Sequence, residues 1–311
     1  MTVDSNFATA PDEALMRQNV SVYLTVRKLA FSVSLLTVVL LAGCSFVPLG
    51  QDARAAADTI ATRVGMRAAF ESAGDFELLT YRRGIDTAAG PVHVYVEGDG
   101  RAWRGRRAPR NPTPYSPLGL RLAAKDPAPA VLWIARPCMY LPQLAADRCD
   151  PRWWTSHRYA TEVVGAMNSV VSRVVGAHGV TLIGHSGGGA LATLIASRRN
   201  DVVELITIGA PLDLGFWTAQ GKMTPLHGSL DPIDVAHLLA ELPQRHLAGD
   251  HDRVVPSEVI RRFVSAVPLP NHARLEVQRG RTHRCCWERE WPQLLCKGGS
   301  ACEGIEKYRA D

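Results

Sequence analysis

Five residues, Gly184-His185-Ser186-Gly187-Gly188, have the types and spacing for covalent catalysis. They match Gly-x-Ser-x-Gly. The apolar run Val180-Thr181-Leu182-Ile183 precedes them, and a helix-forming stretch from Gly189 to Arg199 follows. A strand, a tight turn around a serine and then a helix make a nucleophile elbow. Its glycines have a steric purpose, because a larger neighbour of the serine would collide with the adjoining strand and helix. Residue 187 is expected to present its backbone N–H to a substrate oxygen. A serine hydroxyl is a poor nucleophile at neutral pH, so an imidazole must take its proton. A carboxylate on the far ring nitrogen then fixes the tautomer and stabilises the imidazolium. The oxyanion needs preorganised donors. The inert reading of the motif is a glycine-rich turn with a capping serine.

Elements able to position such a group alternate along the chain. Strands are expected at Phe76–Arg82, Val92–Glu97, Ala130–Ala135, Val180–Ile183, Val202–Ile208, Gln244–Leu247 and Arg274–Gln278. Helices are expected at Leu118–Lys125, His157–His178, Gly189–Arg199 and Ser257–Ala266. Alternation of this kind implies a mostly parallel sheet with helices on both faces. Residues 45–70 read as a linker and a helix-prone stretch rich in Ala and Arg. No internal repeat or low-complexity tract is visible.

Across roughly residues 75–295 the chain resembles the α/β-hydrolase superfamily. The resemblance rests on a glycine-rich turn after an early strand, the serine elbow, an aspartate after a later strand and a final histidine, in that order. It implies the α/β-hydrolase fold and a Ser–acid–His triad. Gly249-Asp250-His251-Asp252-Arg253-Val254-Val255-Pro256 looks like the family's acid turn and assigns the acid to Asp252. Asp250, and Asp213 after the preceding strand, are the other candidates. His283, just past the last expected strand, takes the position of the catalytic histidine. His185 precedes the nucleophile and is expected to point into the structure; His157, His227, His237, His251 and His272 carry no motif. The resemblance implies that Gly187 N–H is one oxyanion donor. The other comes from Glu97-Gly98-Asp99-Gly100, with Asp99 favoured and Gly98 second. Glu97 stands where the family usually has histidine.

The N-terminus points to export. Arg27-Lys28, the apolar run Leu29–Leu41 and then Ala42-Gly43-Cys44 have the layout of a secretory signal. The apolar run is shorter than the ~20 residues a membrane span needs. Leu41-Ala42-Gly43-Cys44 resembles the bacterial lipobox, which implies acylation of Cys44 and a mature chain beginning there. Ser45 in place of Asp implies the outer membrane, facing the periplasm, rather than inner-membrane retention. Residues 1–26 do not look like a signal n-region, and Met16 is a second candidate start. The expected organisation is thus an extension and signal over 1–43, an anchor linker over 44–74 and a hydrolase domain over 75–311, with a cap insertion at 214–243.

Six further cysteines fit an oxidising compartment: Cys138, Cys149, Cys285, Cys286, Cys296 and Cys302. Cys138 and Cys149 bracket a short loop and are expected to pair; the last four allow three pairings. Cys285-Cys286 lacks the gap of a zinc knuckle. Hydrophobic residues make up 46% and charged residues 21%, ordinary values for a globular body, and the net charge of +5 is mild. No basic run is regular enough to argue for nucleic acid. No metal or organic cofactor is implied, and the oligomeric state is not legible.

Substrate signals are sparse. Phe216, Trp217, Met223, Leu226 and Leu230 in the cap segment can line an apolar pocket or simply pack. Trp153-Trp154 and the Cys138–Cys149 loop can shape another wall. Arg101, Arg104, Arg106, Arg107 and Arg110 read as a solvated basic loop, or as a contact for anionic head groups or an acidic substrate. The reading is a serine hydrolase of carboxylic esters, with lipids or thioesters as further substrates. An acyltransferase on the same acyl-enzyme, and a non-catalytic envelope binding protein, are its alternatives.

Overall fold

The apolar runs assemble one sheet, seen in a computed structural model that describes residues 49–105, 107–142, 149–269, 272–297 and 300–302. Its eight strands are β1 (Arg67–Ala73), β2 (Phe76–Arg83), β3 (Val92–Val96), β4 (Val131–Ile134), β5 (Val180–His185), β6 (Val202–Ile208), β7 (Gln244–Gly249) and β8 (Ala273–Gln278). Their order across the sheet is β1-β2-β4-β3-β5-β6-β7-β8. β2 runs antiparallel to β1 and β4, and every other pairing is parallel. β3, β4 and β5 are buried along their whole length, whereas β1 and β8 at the edges are partly exposed. That is the distribution expected when helices cover both faces of a parallel sheet.

The core lies in two clusters, one on each face. Val92, Val94 and Val96 of β3 point into the first, with residues of helices α3 (Thr161–Val175), α4 (Gly187–Ala196) and α6 (Ser257–Ala266). Tyr95, on the opposite face of β3, joins the second with α1 (Leu49–Thr62), α2 (Leu118–Lys125) and α7 (Trp291–Cys296). The short helix α5 (Leu214–Gln220) packs Leu214 and Trp217 into the first cluster. No described helix is long and apolar enough to cross a membrane.

Three expectations need correction. Residues 49–73 are not a linker: the helix-prone stretch forms α1, as expected, but its Ala53, Ala57 and Ala61 are buried in the core, and β1 pairs residue by residue with β2. The hairpin turns on Gly74-Asp75, with Gly74 at φ 57°, a left-handed conformation that suits glycine. Helix α3 begins at Thr161, not His157. Residues 157–160 form a turn closed by Ala160 N–H to His157 O at 3.0 Å, which frees Arg158 and Tyr159 for the site. Third, Trp153 and Trp154 do not wall the serine cleft. Trp154 is buried, and Trp153 packs edge-on against Phe76 at 5.2 Å.

Disulfides join Cys138 to Cys149, Cys285 to Cys286 and Cys296 to Cys302. Cys44 and its lipobox lie outside the described residues, as does Arg106.

Candidate active site

β5 ends at His185, and Ser186 follows it at φ 55°, ψ −129°. A non-glycine residue in this region is strained and needs a surrounding structure that enforces it. The enforcement is close packing. Gly184 and Gly188 approach so tightly that a Cβ on Gly184 would strike the Gly188 carbonyl, and one on Gly188 would strike Val96 O. The turn therefore holds Ser186 above the carboxyl end of the sheet, at the start of α4.

Two other loops from the same sheet end meet it. The turn after β7 carries Asp252, which is buried. Its Oδ1 accepts from Val254 N at 2.8 Å and Val255 N at 2.9 Å. Its Oδ2 lies 2.8 Å from His283 Nδ1, and His283 Nε2 lies 2.9 Å from Ser186 Oγ. A carboxylate only accepts, so Nδ1 of neutral His283 carries the proton and Nε2 is left to accept from the serine hydroxyl. The other acid candidates are engaged elsewhere. Asp213 caps α5 by accepting from Phe216 N at 2.8 Å and pairs with Arg262 at 2.6 Å. Asp250 pairs with His251 at 2.8 Å.

The turn after β3 supplies the remaining wall. Gly98 is not free to serve as an oxyanion donor, because its N–H points to Glu97 Oε1 at 3.0 Å. Glu97 is itself buried and accepts from Trp133 Nε1 at 2.9 Å and Leu120 N at 3.2 Å. Burial raises its carboxyl above the usual range, and these donors offset only part of that. The backbone N–H groups of Asp99 and Gly187 have no acceptor among the described residues. The Asp99 carboxylate sits against Gly187. It is clamped by Arg136, by Arg158 at 2.7 Å and by Tyr159 Oη at 2.9 Å. Burial works to raise the Asp99 pKa, but Arg158 and Arg136 outweigh it and hold the carboxyl below its usual range.

His185 is buried, as expected, and it also braces the site. Its Nε2 lies 2.7 Å from the main-chain carbonyl of His283, and the two rings stand 4.9 Å apart. Burial, with the nearby His283, pushes its pKa down to about 3. Neutral His185 must therefore carry its proton on Nε2 and donate it to that carbonyl. The signal available in the sequence was its place as the variable residue before the serine.

These groups open onto a cleft of about 310 Å³ lined by Asp99, Arg101, Arg121, His185, Ser186, His283 and Arg284, among others. No residue of the 214–243 segment lines it. Trp217, Met223 and Leu226 instead line a second cavity of about 560 Å³, with Trp103 and Arg158. Phe216 lies under the Arg262 guanidinium and Leu230 packs against the core. Among the described residues no cluster of three or more His, Cys, Asp or Glu is placed to hold a metal ion.

No family model and no curated protein sequence matches the chain. Solved structures do. Est1E from Butyrivibrio proteoclasticus aligns with TM-score 0.52 at 14% identity, over 73% of this chain and 95% of its own. A membrane phospholipase A, a bacterial virulence factor, aligns with TM-score 0.51 at 17% identity, over 85% and 94%. The fold is that of the α/β-hydrolases. At these identities the likeness is one of fold. An acylaminoacyl peptidase from Pyrococcus horikoshii shares it too, with TM-score 0.53 at 13% identity, over 73% of this chain and 38% of that one. The α/β-hydrolase sheet explains why the candidate groups meet, since β3, β5 and β7 all deliver their loops to one end.

Proposed function

We propose that this α/β-hydrolase-fold protein is a serine hydrolase of carboxylic esters. The observation that carries the reading is the continuous chain Ser186 Oγ–His283 Nε2, His283 Nδ1–Asp252 Oδ2, at 2.9 and 2.8 Å. Ser186 attacks the ester carbonyl while His283 takes the hydroxyl proton. The proton passes from His283 to the departing alcohol, leaving an acyl-serine. Water, deprotonated by the same imidazole, then attacks the acyl-serine and releases the acid. Asp252 holds the imidazole tautomer and stabilises the cation formed in each half-reaction. The N–H groups of Asp99 and Gly187 take the oxyanion. Support for an ester substrate comes from the membrane phospholipase A that shares the fold.

The test is hydrolysis of a short-chain 4-nitrophenyl ester by the wild type and by Ser186→Ala. Loss of the triad serine is expected to cost about 10⁴–10⁶ in kcat, with the unfolding midpoint unchanged. Equal rates in the two proteins would contradict the reading.

The sequence at residues 41–44 supports a lipid anchor on Cys44. Two or three acyl chains hold a protein firmly at a membrane, whereas one chain binds only marginally. Palmitate labelling lost in Cys44→Ser supports the anchor; labelling retained in that variant contradicts it.

A further inference from the structure

The serine cleft carries an excess of positive charge that its carboxylates do not absorb. Three arginines line it together with Ser186 and His283: Arg101, Arg121 and Arg284. Among the described residues Arg101 bonds only to neutral acceptors, namely Thr113 O at 2.9 Å, Asn111 O at 2.9 Å and Tyr115 Oη at 2.8 Å. Its guanidinium also stacks over the Tyr115 ring at 4.3 Å. This fixes the group in place and leaves its charge uncompensated. Arg284 follows His283 directly, is exposed, and has no acidic partner among the described residues. Arg121 pairs with Glu288 at 3.0 Å near the surface, while its Nε is buried without an acceptor.

The two carboxylates in the cleft wall are already spent. Asp99 is shared between Arg136 and Arg158, so that cluster keeps a net positive charge. Glu97 is turned inward onto Gly98 N, Leu120 N and Trp133 Nε1. The chain behind the wall has the same bias, since residues 101–125 hold seven Arg and Lys and no Asp or Glu. A concave site lined by one sign of charge concentrates ligands of the other. Guanidinium groups with free N–H donors bind carboxylate and phosphate through paired hydrogen bonds.

Resting on the hydrolase reading above, we propose that the substrate is an ester bearing a fixed anionic group, a carboxylate or a phosphate, seated among Arg101, Arg121 and Arg284. The anion orients the acyl or alcohol portion so that the ester carbonyl lies at Ser186. The group's charge is separate from the bond that reacts, so hydrolysis balances as for any ester.

The experiment compares two soluble substrates that differ by one charge: the 4-nitrophenyl monoester of adipic acid and its methyl-capped neutral analogue. The expected ratio of kcat/KM, anionic over neutral, is about tenfold or more at low salt and shrinks at high salt as the cations are screened. Arg284→Gln is expected to lower this ratio severalfold, and the remote surface change Arg261→Gln to leave it as in the wild type. A wild-type ratio near one, or a ratio that Arg284→Gln does not move, overturns the inference while leaving the hydrolase reading intact. Vesicles of phosphatidylglycerol and phosphatidylcholine separate a lipid head group from a soluble ester. A preference for anionic substrate seen only on vesicles assigns the cations to membrane attraction and overturns the cleft site. No turnover of either soluble ester or lipid, together with no labelling of Ser186 by a fluorophosphonate, overturns both readings.

Discussion

His185 Nε2 and the main-chain carbonyl of His283 are joined by a 2.7 Å hydrogen bond. The residue before the nucleophile thus holds the backbone of the general base. Removing this donor should let His283 drift from Ser186 without touching either side chain. His185→Leu is expected to lower kcat about tenfold, the worth of one buried hydrogen bond at the site, with KM little changed. His185→Gln, which keeps a donor, should recover part of the loss. Equal activity in the Leu and Gln variants would assign His185 to packing alone.

The acid is tested by pairing two aspartates. Asp252→Asn removes the carboxylate that fixes the His283 tautomer, and a loss of about 10⁴ in kcat is expected from a wrong tautomer. Asp213→Asn should leave kcat near the wild-type value, because asparagine also caps a helix and only the Arg262 pair at 2.6 Å is lost. The steady-state rates of the two folded variants decide the matter.

The clamp on Asp99 sets a third expectation. Asp99→Asn leaves Arg136 and Arg158 buried with no counter-charge. Removing one partner of a buried pair costs about 3–5 kcal/mol, readable by urea unfolding. Arg158→Met should cost less, because Arg136 still compensates the carboxylate. If the two variants were equally stable, the asymmetry of one acid between two bases would carry no weight.

Much of this was legible in the sequence. β4 and β5 read as apolar runs because both of their faces are buried, and β3 reads as a strand from its alternating β-branched residues. Ser186 and Asp252 each sit in a short local motif, which survives in one dimension, and His283 is marked by its position just past the last expected strand. β1 escaped because Arg67-Ala-Ala-Phe-Glu-Ser-Ala mixes small and charged residues on an exposed edge strand. The Gly74-Asp75 pair was the missed hairpin signal. The Asp99 clamp was invisible for a different reason: its guanidiniums come from 37 and 59 residues away. Only the fold brings them together. Gly98 was reasonable as a donor until the Glu97 side chain was seen to occupy its N–H.

Acid should destabilise the protein before its carboxylates titrate. His185 and His246 are buried, and desolvation pushes each down to about 3. Their unfolded values are near 6.5, so between about pH 6.5 and 3 the unfolded state binds more protons and stability falls as pH falls. At pH 4.5, some two pH units below the unfolded value, each histidine costs on the order of 3 kcal/mol relative to neutral pH. Above pH 6.5 the contribution is fully restored. Denaturant unfolding at pH 7.5, 6, 5 and 4.5 should show this slope; a flat profile over the range would count against buried neutral histidines.

The central claim is that Ser186 is an activated nucleophile. Labelling by a fluorophosphonate, followed by peptide mass spectrometry, tests it most directly. The account predicts one adduct, on Ser186, absent in Ser186→Ala and strongly slowed in His283→Ala. A folded wild-type protein that takes no label, or takes it on another serine, would contradict it.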